Sequence, residues 1–261
     1  MTRGKVYLIG AGPGSADLMT LRALRMLNAA EAVVHDRLVS PEILALAPRG
    51  ARMIPVGKAP GHHSVPQERI NEILFELATQ GLAVARLKGG DPLIFGRGSE
   101  EAAYLAERGI TVEYAPGITA AQGMAASCGV PLTHRGLATG VRYVTGHRAA
   151  DQSLDLDWDS LADPETTLVV YMGAANMPEI ALKLIRAGMP PDLPVMAVAS
   201  ATTPRERRLL SRLDRIGLDI RATPLKAPVL FVIGHVVSLH AEYADVSGAV
   251  QPEGMAAVAG E

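Results

Sequence analysis

Val6-Tyr7-Leu8-Ile9-Gly10-Ala11-Gly12-Pro13-Gly14 reads as a short buried strand, Val6 to Ile9, running into a glycine-rich turn. A helix follows, with Leu21, Leu24 and Leu27 on one face and Thr20 as its N-cap. Ala32 to His35 is strand again and ends in Asp36-Arg37. Residues 53–56, 83–87 and 112–115 repeat the pattern, each a short apolar run bounded by Gly or Pro, with helical stretches at 66–78 and 98–108. Strands alternating with helices imply parallel βαβ units with helices on the sheet faces, an α/β fold.

After Pro131 the texture changes. Residues 136–140 form a small-residue connector, 142–145 begins a second set of strands, and 167–172, 195–200 and 229–233 are β-rich, with a helix at 177–187. The segment 151–163 is acidic and reads as a loop. These changes divide the chain into an N-terminal domain at 1–136, a C-terminal domain at 137–244 and a frayed tail at 245–261.

Composition narrows the function. At 261 residues and 48% hydrophobic, the chain has material for a proper core, which excludes a disordered protein or a small stapled scaffold. Lys plus Arg number 25 against 27 Asp plus Glu, a net charge of −2, so no globally basic nucleic-acid binder is expected. A local cationic pocket stays open, and only five of the 25 basic residues are lysines. The single cysteine, Cys128, lies in a small-residue helical stretch and reads as a buried thiol; it rules out a disulfide framework. His35, His147, His235 and His240 read as packing or surface residues, and no spacing suggests a metal cage. No apolar run reaches the ~18–20 residues of a membrane helix, and Met1 to Lys5 lacks a signal peptide's apolar stretch. A cytoplasmic enzyme without a membrane or nucleic-acid partner is the expectation.

The first loop invites a dinucleotide reading, because Asp36 stands where a ribose-binding carboxylate belongs. The detail opposes it. The third glycine falls one place early, at Gly14, with Ser15 in the required position, and Pro13 has no N–H to offer a pyrophosphate. The alternative is a tight strand-to-helix turn with no ligand.

Further segments change the balance: Asp36-Arg37-Leu38-Val39-Ser40, then Gly89-Gly90-Asp91-Pro92, then Pro116-Gly117-Ile118-Thr119. In this order, together with Gly10-Ala11-Gly12-Pro13-Gly14, they resemble the tetrapyrrole methylases from Gly4 to about Val237. The resemblance implies two α/β domains with an active-site cleft between them, and a homodimer. It implies S-adenosyl-L-methionine as methyl donor and uroporphyrinogen III as substrate. Methylation at C2 and C7 then gives precorrin-2, leading toward sirohaem, cobalamin or haem d1. The chain begins without the oxidase–chelatase portion of fused relatives, so methylation alone is expected.

Carried over residue by residue, the family's cofactor contacts fall on Pro13, Gly89, Gly90, Asp91, Ile94, Thr119 and Ala120, then on Met172, Ala201, Ala227 and Pro228. Gly89-Gly90 also reads as an ordinary turn, and Met172 as core. The substrate's eight carboxylates call for arginines, whose planar fork pairs bidentately and keeps its charge. Here the resemblance points to Arg37, Arg97 and Arg135, with Glu100 and Met172 beside them and Lys58, His62, His134 and Arg142 as further candidates. Arg205, Arg207, Arg208 and Arg212 read as solvated faces. Asp36 and Lys58 match the family's proton acceptor and donor; Arg97, holding the substrate, ranks between them. The other reading of Asp36 is a strand-end residue paired with Arg37.

Ser15, His35, Ser99, Ala121 and Ala201 depart from the family pattern, the last leaving the adenine slot less defined. Two rivals remain: a sister enzyme acting on a later corrin precursor, and a nucleotide-binding regulatory protein.

Overall fold

The apolar runs of the first half become β1 (Lys5–Gly10), β2 (Ala32–His35), β3 (Arg52–Pro55), β4 (Ala83–Lys88) and β5 (Thr111–Ala115). They pair in the order β3-β2-β4-β1-β5, every pair parallel, as expected for βαβ units. This computed structural model describes residues 3–57, 65–147 and 154–241. The chain divides into two compact units, one running to Ser127 and including Ser200–Glu206, the other beginning at Cys128 and excluding that segment.

In the first unit, α1 (Leu21–Asn28) and α2 (Pro41–Leu44) bury Ala23, Leu27 and Ile43 against Ile9, Val33, Ala85 and Leu87. On the opposite sheet face, α3 (Gln67–Thr79) and α4 (Gly98–Ala106) bury Ile70, Leu74, Leu77 and Leu105 against Val6, Val34 and Val84. The fifth helix, α5 (Ala120–Cys128), follows β5. The connection leaving β1 crosses β4 to reach β2, and the one leaving β4 crosses β1 in the other direction to reach β5. The helices these connections carry, α1 and α4, lie on opposite sheet faces, the arrangement in which ligands bind beyond the strands' carboxyl ends.

One expectation about α1 fails. Leu21 is 79% exposed, while Ala23 and Leu27 carry the buried face. Steps of three residues drift around a helix, so Leu21 stands about 120° from Leu27. Thr20 does cap this helix, its hydroxyl accepting from Ala23 N–H at 3.1 Å and donating to Pro116 C=O at 3.2 Å. Thr20→Ala is expected to lower stability by about 1 kcal/mol; an unchanged urea midpoint would count against this role.

The second unit is built from β6 (Gly140–Thr145), α6 (Trp158–Leu161), β7 (Thr166–Tyr171), α7 (Met177–Arg186), β8 (Pro194–Ala199), β9 (Arg207–Arg212), α8 (Ile216–Ala222) and β10 (Val229–Ile233). Its sheet has the order β6-β7-β10-β8-β9, in which only β6 and β7 pair in parallel. Leu168, Val170, Val195, Ala197 and Phe231 form the core with Ile180 and Leu184 of α7. Within the acidic loop-like stretch lies α6, capped by Asp157, which accepts from Ser160 N–H at 3.1 Å. Arg207, Arg208 and Arg212, read as solvated faces, stand on β9, an edge strand paired with β8 alone. Cys128 is buried. The division drawn at 136 lies in the stretch joining α5 to β6; the tail at 245–261 lies outside the described residues.

Candidate active site

Glycines bring three loops of the first unit together. A Cβ on Gly10 would sit 2.4 Å from Gly117 N, and one on Gly117 only 2.0 Å from Gly90 O. The loops after β1 and β4 also bond to each other: Gly12 N–H donates to Gly90 C=O at 3.2 Å, and Gly90 N–H to Gly12 C=O at 2.7 Å. Ala11 N–H is donated to Lys88 C=O at 2.8 Å. The amides a pyrophosphate would need are thus spent within the protein, which disfavours the dinucleotide reading. Pro13 packs instead against α5, where a Cβ on Gly123 would lie 2.5 Å from its ring.

Gly89 and Gly90 have different reasons to be glycine. A Cβ on Gly89 would press on the Leu38 side chain at 2.9 Å. Gly90 adopts φ +70° and faces open space, with Ala120 N the nearest atom at 4.0 Å. Asp91 closes the turn, one carboxylate oxygen accepting from Leu93 N–H at 2.8 Å and the other from Gly117 N–H at 2.9 Å. Thr119 caps α5 by accepting from Gln122 N–H at 3.3 Å. Ala201 joins this unit through its segment: Gly14 lies against Ala201 O and Thr203, and Thr202 Oγ1 accepts from Ser15 N–H at 3.3 Å. Pro13, Gly90, Asp91, Thr119, Ala120 and Ala201 therefore share one neighbourhood.

Between Asp91 and α4 the chain turns sharply. Phe95 and Arg97 both take left-handed backbone, φ 53° and 56°, a conformation that stores strain and clusters at functional sites. Leu93, Ile94 and Phe95 are exposed. The Arg97 guanidinium grips Glu100 through two bonds, 2.9 and 2.6 Å, with both side chains open to solvent. The hydrogen bond to Arg97 holds the Glu100 carboxyl below its ordinary range, and the same contact raises the pKa of Arg97.

A second cluster escaped the sequence reading. Arg86 and Lys88 occupy alternate positions on β4 and so point to one face, where Glu101 of α4 meets them. Arg86 Nε donates to both Glu101 oxygens at 3.3 and 3.2 Å, Arg86 Nη2 to Glu101 Oε1 at 3.2 Å, and Lys88 Nζ to Glu101 Oε1 at 2.8 Å. Arg86 Nη2 also donates to Asp36 Oδ1 at 2.8 Å, and Lys88 Nζ lies 3.9 Å from Asp36 Oδ2. Asp36 is thus paired with Arg86, while Arg37 is exposed and rests against Gly57. Burial, seconded by the Arg86 charge, lowers the Lys88 pKa despite the nearby carboxylates. For Arg86 burial acts in the same direction, but Glu101 and Asp36 outweigh it and the pKa rises. A signal for this cluster exists in the sequence: two cations spaced by two in an apolar strand, followed by Glu100-Glu101 at a helix start.

In the second unit Met172 follows β7 with φ +56° and is 51% exposed, so it is not core. The register Leu230↔Tyr171 sets it beside the start of β10, where Ala227 and Pro228, joined by a cis peptide, are also exposed. Arg135 is exposed on a turn, its carbonyl bonded to His134 Nδ1 at 2.8 Å. Arg142 is engaged with the Ser160 carbonyl and hydroxyl. Lys58 and His62 lie outside the described residues. No group of three or more His, Cys, Asp or Glu suited to a metal ion occurs among the described residues, and no described helix is long and apolar enough to cross a membrane. A shallow groove of about 330 Å³ bounded by Leu93, Ser99, Ala102 and Tyr114 contains none of these candidate groups.

Residues 5–217 match the sequence profile of the Tetrapyrrole (Corrin/Porphyrin) Methylases. The chain is 61% identical over 250 residues to a uroporphyrinogen-III C-methyltransferase of Paracoccus denitrificans, covering 96% of this chain and 87% of that protein. Against a siroheme synthase of Pseudoalteromonas atlantica it is 49% identical over 237 residues, 91% of this chain, and spans about half of that protein, 51%. Among solved structures, the uroporphyrin-III C-methyl transferase of Thermus thermophilus, complexed with S-adenyl homocysteine, superposes with a TM-score of 0.78 at 42% identity, covering 90% of this chain and 99% of that one.

Proposed function

The chain belongs to the tetrapyrrole (corrin/porphyrin) methylases, and from that premise we propose that it transfers two methyl groups from S-adenosyl-L-methionine to carbons 2 and 7 of uroporphyrinogen III. The products are precorrin-2 and two molecules of S-adenosyl-L-homocysteine. Likeness to the Paracoccus enzyme over nearly the whole chain carries this reading. The same reading makes the protein a cytoplasmic homodimer with domains at 1–136 and 137–244, its product feeding sirohaem, cobalamin or haem d1.

The residues present suit the methyl donor. Gly90 leaves unfilled space beside the first amide of α5, where a Cβ would intrude. Asp91, fixed by two backbone amides, keeps lone pairs for an ammonium or ribose hydroxyl. Gly89, Ile94, Thr119, Ala120 and Pro13 complete the cofactor set in the first unit; Ala201, Met172, Ala227 and Pro228 offer small or apolar surface for an adenine. The donor supplies a methyl group on a sulfonium, which needs alignment more than activation. Arg97, exposed and forked, exchanges Glu100 for a substrate carboxylate, with Arg37 and Arg135 gripping other arms. Asp36 takes the proton released after methylation, and Lys58 stands as donor.

The test is incubation with uroporphyrinogen III and S-adenosylmethionine followed by mass analysis. Two added methyl groups are expected. No added mass overturns the reading, and tight NAD binding without methyl transfer would favour a nucleotide-binding regulator.

A further inference from the structure

We propose that Arg86, Lys88 and Glu101 are positioning residues that hold Asp36 oriented and ready to accept a proton, with Glu101 the anchor they share. The inference rests on the reading of Asp36 as the proton acceptor.

The sheet face that carries these groups is otherwise apolar, lined by Val6, Val34, Val84, Leu74 and Leu105. Burying ions there is expensive, and well-packed apolar residues would stabilise it equally well or better. Such a cluster points to a task beyond stability. Its geometry has a direction. The Glu101 side chain is 0% exposed and those of Arg86 and Lys88 are 2% and 5%, whereas that of Asp36 is 29% exposed. Asp36 is the solvent-facing end of an otherwise enclosed chain of charge.

Glu101 fixes that chain. Its carboxylate takes both ends of the Arg86 Nε–Nη2 edge, which aims Nη2 at Asp36 Oδ1. It holds Lys88 Nζ as well, and from α3 Gln67 Nε2 donates to Glu101 Oε1 at 3.0 Å while also reaching Asn71. Two cations and two carboxylates balance. Beyond them, Glu100 lies within electrostatic reach of Lys88, Glu68 and Glu101 within reach of Arg97, and His35 and Arg37 flank Asp36 in sequence.

A packing role and a positioning role differ in their pH signature. Removing a cation takes a positive charge from beside Asp36, and neutralising Glu101 takes away a negative one. The two substitutions therefore displace the acid limb of a rate profile in opposite directions, which a packing role does not require. In single-turnover methylation by the full chain, Lys88→Met is expected to move the acid limb of the rate profile up by about one pH unit and Glu101→Gln to move it down by a similar amount. Lys88→Arg should restore the wild-type limb, and thermal unfolding identifies folded variants. Asp36→Asn run in parallel separates the two readings. Wild-type rates in Asp36→Asn sink the acceptor assignment, and this inference with it. Loss of rate in Asp36→Asn, with unmoved limbs in folded Lys88→Met or Glu101→Gln, overturns the positioning role alone.

Discussion

Asp36→Asn will slow single-turnover methylation by about 10²- to 10⁴-fold, the usual contribution of a positioned proton acceptor. The substitution is nearly isosteric, and the amide oxygen can keep the bond from Arg86 Nη2 now made to Asp36 Oδ1. What it loses is basicity and the negative charge facing Lys88 Nζ, 3.9 Å away. Binding of S-adenosylhomocysteine, followed by calorimetry, should change by no more than about threefold, because the residues proposed to hold the donor lie on other loops. A rate loss with intact binding assigns Asp36 to the chemical step, whereas an unchanged rate removes that assignment.

Gly117→Ala will destabilise the protein by about 3 kcal/mol, at the upper end for overpacking, because the new methyl has backbone on two sides. Its carbon would lie 2.0 Å from Gly90 O and 2.8 Å from Gly10 Cα, and neither neighbour can rotate away as a flexible side chain does. For a chain this long the melting temperature should fall by roughly 6–12 °C. Gly50→Ala is the control, since a Cβ there meets nothing within 4 Å. Equal melting temperatures in the two variants would refute the close-contact argument. Methyl-donor affinity should fall with Gly117→Ala as well, because Asp91 is held by Gly117 N–H.

The inner strands of the first sheet, β1, β2 and β4, were legible because each is a short apolar run buried on both faces. An edge strand obeys a different constraint, and Arg207-Arg208 on β9 reads as surface because half of it is surface. The glycine loop was recognisable, yet its reason was not: the decisive contacts, Gly10 to Gly117 and Gly12 to Gly90, span roughly 80 to 110 residues of sequence. Distance along the chain also hid the partner of Asp36. Arg37 is its neighbour in sequence, but parallel pairing of β2 with β4 brings Arg86 to it instead. Left-handed backbone at Arg97 and Met172 had a partial signal in the glycines beside them, though the torsions themselves follow from the fold.

Ser200–Glu206 packs with residues that precede Ser127, although the stretches on either side of it belong to the other unit. Thr202 and Thr203 lie directly against Gly14 and Ser15. Neither half of this polypeptide is therefore a portable module. An N-terminal fragment ending at 136 would strip Ser15 N–H of the Thr202 hydroxyl that accepts from it, and swapping halves between relatives would exchange a piece of one unit along with the other. Chimaeras should be designed with that seven-residue return travelling with the N-terminal parent.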